Sequence, residues 1–226
     1  TGGCGLNVTV PFKEAVFELA VEHSKKAELA KAANTLYLNE NGELTADNTD
    51  GPGIIQDIEK NLGLSLANAS VLVLGAGGAV RGILAGLANQ AEKAKPQGIV
   101  IANRTLGKAQ QLETEFSKEL HVSSCEYNAL SQASSQQGFD IIINGTSMGR
   151  SNQTPDISTG VVKEQTLCYD MVYSNTDTTF MTWAKNAGAL IVSDGLGMLV
   201  EQAAEAFEIW RGVRPDTSPV IQALRE

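Results

Sequence analysis

Cysteine is scarce in this chain. Of 226 residues only Cys4, Cys125 and Cys168 carry a thiol, and no two of them form a C-x-x-C pair. A disulfide framework is thereby disfavoured, and a reducing, cytoplasmic setting is the natural expectation. Histidine is scarcer still. His23 and His121 are isolated from each other, which argues against a histidine-built metal site, so no metal is expected. No apolar run reaches the ~18 residues that a membrane-spanning helix needs, and no signal peptide is recognisable. Basic residues are outnumbered, 17 against 26 acidic ones, for a formal net charge of −9. Such a surface repels nucleic acid and anionic lipid. An anionic ligand must therefore be held by a local cluster of donors.

What the chain does have is a globular composition, with 42% hydrophobic residues, and length enough for two small domains. After Pro11, EAVFELAVEHSKKAELAK has apolar residues at helical spacing and reads as a helix. NTLYLNENGELTADN reads as a hairpin turning at Asn41-Gly42. Beyond TDGPG the texture changes. GIIQDIEKNLG is a helix and SVLVLGAGGA a short apolar strand ending in glycines. GIVIANRT, HVSSCEY, DIIINGTS, TLCYDMVY and ALIVSDG are further strands, with helices among them. Short apolar runs alternating with helices predict a parallel sheet covered on both faces. The fold class expected is α/β: a Rossmann-type doubly wound unit over residues 51–196, and a second α/β domain from residues 1–50 and 197–226. GMLVEQAAEAFEIWRG and SPVIQALRE read as closing helices that return to the N-terminal segment.

Several short stretches carry chemistry. Gly75-Ala76-Gly77-Gly78-Ala79 follows a strand and opens a helix. Glycines there let the backbone turn sharply and approach a pyrophosphate at a helix N-terminus. Val80 occupies the place of the third glycine, so the fingerprint is imperfect; a tight strand–helix turn is the bland alternative. The second strand ends in Asn103-Arg104-Thr105, with Lys108 one turn on. An NAD site usually has an acid here for the ribose hydroxyl. A guanidinium fits a phosphate instead, which favours NADP. Asn144-Gly145-Thr146-Ser147 and Tyr169 to Tyr173 end two more strands, where a ligand crevice opens. Lys13 lies just past an extended stretch, Asn7 to Val10, and Asp50 at the boundary between the two regions. A lysine exchanging a proton and a carboxylate orienting it would form a general acid/base pair; for two residues this far apart in sequence, unrelated surface charges are the ordinary reading.

Taken in order, these stretches resemble the shikimate dehydrogenase family over nearly the whole chain. The matching motifs are Asn7 to Lys13 (NVTVPFK), Asn34-Thr35-Leu36, Asp47 to Gly51, Gly75 to Ala79, Asn103 to Lys108, Asn144 to Gly149, Tyr169 to Tyr173 and Asp194 to Gln202. The resemblance implies an oxidoreductase of the shikimate pathway, which leads to chorismate and the aromatic amino acids. NADPH would reduce the C3 carbonyl of 3-dehydroshikimate to shikimate. It implies Lys13 as general acid/base with Asp50 as its partner. It places Asn7, Thr9, Asn34, Tyr173 and Gln202 at the substrate. Around NADP it places Gly75, Ala76, Gly77, Gly78, Ala79, Asn103, Arg104, Thr105, Lys108, Thr146, Ser147, Met171, Gly195, Met198 and Leu199. Ala33, Val80 and Pro52 depart from the family pattern in tolerable ways. The family also has roughly fifty residues before this point, including a Ser-x-Ser pair for the substrate carboxylate, in a length suited to two domains. The expectation is a chain lacking that front, monomeric or homodimeric, prone to self-association through a bared strand edge and weak in turnover. The rival readings are a quinate/shikimate paralogue using NAD and a non-catalytic NADP-binding remnant. Its partners would be small molecules, with neither nucleic acid nor membrane.

Overall fold

Alternating extended and turn-forming residues build a four-stranded mixed sheet at the start of the chain. Its strands are β1 (Gly5–Asn7), β2 (Glu22–His23), β3 (Thr35–Leu38) and β4 (Leu44–Asp47), in the order β1-β3-β4-β2. Strands β3 and β4 form the expected antiparallel hairpin. Gly42 turns it with φ +79°, a left-handed conformation that glycine adopts without steric cost. The structure is a computed structural model describing residues 3–130, 138–146 and 156–226.

The long helix expected after Pro11 is two helices. Helix α1 spans Lys13–Leu19 and α2 spans Lys25–Ala30, with β2 between them. Helical periodicity is overridden by pairing and capping. Val21 and Ser24 donate backbone N–H groups to Leu44 and Ala46 of β4, at 2.8 and 2.9 Å. The Ser24 hydroxyl then caps α2 by accepting from the Ala27 amide at 3.2 Å. The extended stretch at the front is also shorter than expected: the strand ends at Asn7, and Val10–Pro11 is a cis peptide bond.

Helix α3 (Asp50–Gln56) runs on into a π-helical turn, Asp57–Asn61. Helix α4 (Gly78–Ala88) follows the glycine-rich turn. Its Gly86 meets Gly51 of α3 backbone to backbone. A Cβ at Gly86 would lie 2.5 Å from the Gly51 Cα, and one at Gly51 2.6 Å from the Gly86 Cα. A Gly86→Ala substitution is therefore expected to destabilise the fold by about 1–3 kcal/mol, the cost of overpacking. Urea unfolding measures it; an unchanged midpoint would show that the helices slide apart freely.

The other sheet is six-stranded and wholly parallel, as the buried apolar runs require. Its strands are β5 (Ser70–Leu74), β6 (Gly98–Ala102), β7 (Val122–Cys125), β8 (Ile141–Asn144), β9 (Leu167–Asp170) and β10 (Ile191–Ser193). The order is β10-β9-β8-β5-β6-β7. Helix α5 (Leu106–Phe116) follows β6, and α6 (Thr179–Asn186) precedes β10. On one side a core forms around Leu72, Leu74, Ile142, Cys168, Phe180 and Ala184. The order of strand addition reverses between β5 and β8, with β6 and β7 laid down on one side of β5 and β8 to β10 on the other, so the crevice of this sheet opens at their carboxyl ends.

At the opposite rim Asp140 receives bonds from the Ser70 amide and hydroxyl, at 2.7 and 2.6 Å, and from Lys163 at 2.7 Å. Burial opposes its ionisation, but these donors outweigh burial and hold its carboxyl at about 2. A folded-state value below the unfolded one gives stability that is present above about pH 4 and is lost as pH falls toward 2. The difference in Tm between the parent and Asp140→Asn should accordingly shrink across that window. A constant difference would show that the carboxylate charge is immaterial.

Helix α7 (Leu196–Arg211) and helix α8 (Ser218–Arg225) close the chain. As expected, α7 packs on the N-terminal segment: Trp210 Nε1 donates to the Leu36 carbonyl at 3.1 Å. Glu201 in α7 is fully buried and accepts from Thr217 (2.6 Å), Arg214 (2.7 Å) and Asn61 (3.1 Å). Burial opposes its charge, and these donors still keep its carboxyl below the usual range. Helix α8 buries none of its residues. By its contacts the chain divides into two units: Thr1–Leu64 with Arg81–Gln90 and Gly197–Glu226, and Ser65–Val80 with Ala91–Leu196. No described helix is long and apolar enough to cross a membrane.

Candidate active site

In the first unit the structure brings Lys13 to Asp50. Lys13 opens α1 and Asp50 opens α3. The ammonium Nζ lies 2.6 Å from Asp50 Oδ2. Lys13 keeps 21% side-chain exposure and Asp50 9%, so the nitrogen can reach a ligand while the carboxylate is fixed from behind. Asn34 Nδ2 donates to Asp50 Oδ1 at 2.9 Å, and the Asp50 amide donates to Asn48 Oδ1 at 3.1 Å. The pair and the groups that brace it all belong to this one unit.

Asn34 is the hub. It follows α2 and leads into β3, and it is 2% exposed. Its Oδ1 accepts from the Thr49 amide (2.8 Å), the Thr49 hydroxyl (3.1 Å) and the Thr35 hydroxyl (3.0 Å). Its Nδ2 also reaches Gln202 Oε1 at 3.2 Å. With all donors on one oxygen and all acceptors on the amide nitrogen, the orientation of the Asn34 side chain is set by its surroundings. Asn7 Nδ2 donates to the Asn34 carbonyl and to the Thr35 hydroxyl, both at 3.3 Å. Thr9 is exposed beside this cluster in sequence. Four of the expected residues, Lys13, Asp50, Asn34 and Gln202, thus form one bonded set, with Asn7 attached. Tyr173 belongs to the second unit, where it is 57% exposed.

Sequence reasoning passed over Asn48 and Thr49 as individuals. Both are buried, and both wire the set together, Thr49 also donating to Gln202 Oε1 at 3.3 Å. The signal was available, since they lie inside the Asp47 to Gly51 motif. Gly82 was missed as well. A Cβ there would lie 3.3 Å from Asp50 Oδ2, so the α4 backbone forms a wall of the carboxylate's pocket.

The second unit holds the glycine-rich turn. Gly75 is buried with φ +101°, and a Cβ on it would meet the Gly145 carbonyl oxygen at 3.1 Å. Only glycine satisfies both conditions. Gly77 and Gly78 have open space where a Cβ would project, and with Ala79 they are exposed at the start of α4. Ala76 is half-buried. Glycines without side chains at the start of an eleven-residue helix leave the backbone there open to the approach of a ligand.

Asn103, at the end of β6, bends the next loop by donating from Nδ2 to the Thr105 carbonyl at 2.9 Å. Arg104, Thr105 and Lys108 are exposed there. The Tyr127 hydroxyl, another group missed in the sequence, bonds the Arg104 backbone and shares its field; burial nonetheless pushes this phenol above its usual value. At the end of β8 Thr146 donates its amide (3.2 Å) and hydroxyl (2.8 Å) to Asn144 Oδ1. Ser147 lies outside the described residues. Met171 is half-buried, and Gly195 packs against its carbonyl. Met198 is buried and Leu199 partly exposed, both on α7 in the first unit.

A parallel sheet with a glycine cradle at its switch point, in a chain whose other unit carries a bonded lysine–aspartate pair, defines a dinucleotide-fold α/β protein with acid/base equipment. Known families match along the chain. Residues 57–168 match the Shikimate / quinate 5-dehydrogenase family, residues 1–36 the shikimate dehydrogenase substrate binding domain, and residues 195–225 the shikimate 5'-dehydrogenase C-terminal domain. A shikimate dehydrogenase (NADP(+)) from Marinobacter nauticus is 51% identical, over 99% of this chain and 79% of its own length. Among solved structures, the Ael1 enzyme from Pseudomonas putida superposes with a TM-score of 0.90 at 44% identity, covering 100% of this chain and 79% of that one. The shikimate 5-dehydrogenase from Thermus thermophilus, solved with NADP(H) and shikimate, gives 0.81 at 30% identity, covering 99% and 79%. The chain belongs to the shikimate dehydrogenase (NADP+) family.

Proposed function

We propose that this chain carries out the NADP-dependent interconversion of shikimate and 3-dehydroshikimate, with Lys13 as its general acid/base. The observation that carries the assignment of Lys13 is its 2.6 Å contact with Asp50, itself bonded to Asn34. NADPH, when bound, supplies the hydride that reaches the C3 carbonyl carbon. Lys13 gives the proton from Nζ to the carbonyl oxygen and, in the reverse direction, receives it from the hydroxyl. Its positive charge also stabilises negative charge developing on that oxygen. Asp50 accepts from Lys13 and holds the nitrogen in one direction. Asn34 and Gln202 fix the carboxylate's surroundings, and Asn7, Thr9 and Tyr173 complete the substrate residues.

The NADP residues are the cradle from Gly75 to Ala79, the loop Asn103, Arg104, Thr105 and Lys108, and Thr146, Ser147, Met171, Gly195, Met198 and Leu199. Support comes from the open space over Gly77 and Gly78 and from cationic side chains in place of an acid after β6. Residues 1–50 and 197–226 are assigned to substrate handling and 51–196 to the nucleotide. A chain with three cysteines and no C-x-x-C pair fits a cytoplasmic setting.

A spectrophotometric assay with shikimate or quinate, each with NADP or NAD, tests the reading. NADPH formation from shikimate is the expected result. A preference for quinate with NAD would favour the paralogue instead.

A further inference from the structure

Asp170 lies at the end of β9, fully buried, and no role in the reaction accounts for it. An unpaired carboxylate at such a place is costly, yet this one is fully engaged. Its Oδ1 accepts from Asn144 Nδ2 at 3.1 Å and from the Val172 amide at 3.2 Å. Its Oδ2 accepts from the Thr178 hydroxyl at 2.6 Å. Asn144 is its neighbour across the β8–β9 ladder. Because an ionised carboxylate only accepts, it draws the NH₂ end of the Asn144 amide toward itself. The carbonyl end of Asn144 is thereby turned to Thr146, whose amide and hydroxyl it holds at 3.2 and 2.8 Å. The Met171 amide donates to the Asn144 backbone carbonyl at 3.1 Å. One carboxylate therefore sets two loops at the sheet's crevice, the one carrying Thr146 and the one carrying Met171.

We propose that Asp170 is a positioning residue for the cofactor site, its ionised carboxylate locking the Asn144 amide and the Val172 amide so that the loops after β8 and β9 present Thr146 and Met171 to NADP. The proposal rests on the functional reading above. Asp194 at the end of β10 is the charged neighbour acting on Asp170; it accepts from the Ser174 amide at 3.1 Å and so holds the far end of the same loop. Burial, with Asp194 adding to it, pushes the Asp170 carboxyl above its usual value, against the pull of Thr178, Val172 and Asn144. The locking form is the charged one. It is lost as pH falls through that raised value.

The test is calorimetric titration of NADP into the parent and Asp170→Asn, with KM and kcat measured alongside. Asparagine keeps the size but can offer a donor where only an acceptor serves. Kd for NADP should rise about tenfold, in keeping with one hydrogen bond to a charged group, while KM for shikimate moves less. The ratio of the two Kd values should shrink toward one as pH is lowered through the raised Asp170 value, because the parent then loses its own charge. Titration of the ligand's phosphate is common to both proteins and cancels. A lower Tm with Kd unchanged would make Asp170 merely structural and overturn the proposal. If Asp170→Asn does not fold, Thr178→Val removes the donor to Oδ2, and the acid weakening of NADP binding should begin at higher pH; Thr178→Ser should restore it. An unmoved acid limb in Thr178→Val overturns the proposal equally. A parent that binds no NADP would sink the functional reading itself, whereas intact binding in the variants sinks only the role of Asp170.

Discussion

Lys13→Ala is expected to lower kcat by a factor of about 10²–10⁴, the usual worth of a positioned acid or base, with the NADP dissociation constant nearly unchanged. The substitution removes the ammonium bonded to Asp50 but keeps the Lys13 backbone carbonyl that accepts from the Ala33 amide at 2.9 Å, so the β3–β4 hairpin and the Asn34 hub are expected to stay intact. Nothing in the glycine cradle or in the Arg104 loop is touched. Steady-state kinetics with shikimate, beside a calorimetric NADP titration, separates the two effects. A loss of less than threefold in kcat would remove Lys13 from the chemistry.

Arg104→Asp should weaken NADP by about 2–4 kcal/mol, or about 30- to 1000-fold, and NAD much less. The figure combines the loss of a charge-assisted bond to the 2′-phosphate with the repulsion that a carboxylate adds there. Arg104 is exposed at the end of β6, and its backbone is tied to the Tyr127 hydroxyl, so the loop itself is expected to keep its path in the variant. Titrating both cofactors into the parent and the variant decides the matter. Equal weakening of NAD and NADP would show that Arg104 supports the loop rather than reading the phosphate.

The parallel sheet was legible because its strands are buried on both faces. A run such as the Ile141–Asn144 strand has no competing reading once helices flank it. The glycine turn was legible for a similar reason, since Gly75 needs a positive φ and close backbone approach at once. The first unit was harder. Residues 14–31 have the apolar spacing of one helix, and only tertiary pairing of β2 with β4, together with the Ser24 cap, breaks it. Local sequence carries no record of a strand two residues long. The lysine–aspartate pair became legible through the order of motifs alone, because 37 positions separate its members and spacing says nothing about their meeting. Asp170 was quoted within a motif without a role. Its part depends on which end of the Asn144 amide faces it, a matter of three-dimensional bonding.

The central claim is that Lys13 and Asp50 act as one proton-handling unit, and a double-mutant cycle on kcat tests it most directly. Asp50→Asn should slow the same step as Lys13→Ala. The doubly substituted protein should be about as slow as Lys13→Ala by itself, because residues acting as a unit lose their function only once. Losses that simply add on the free-energy scale would contradict the account.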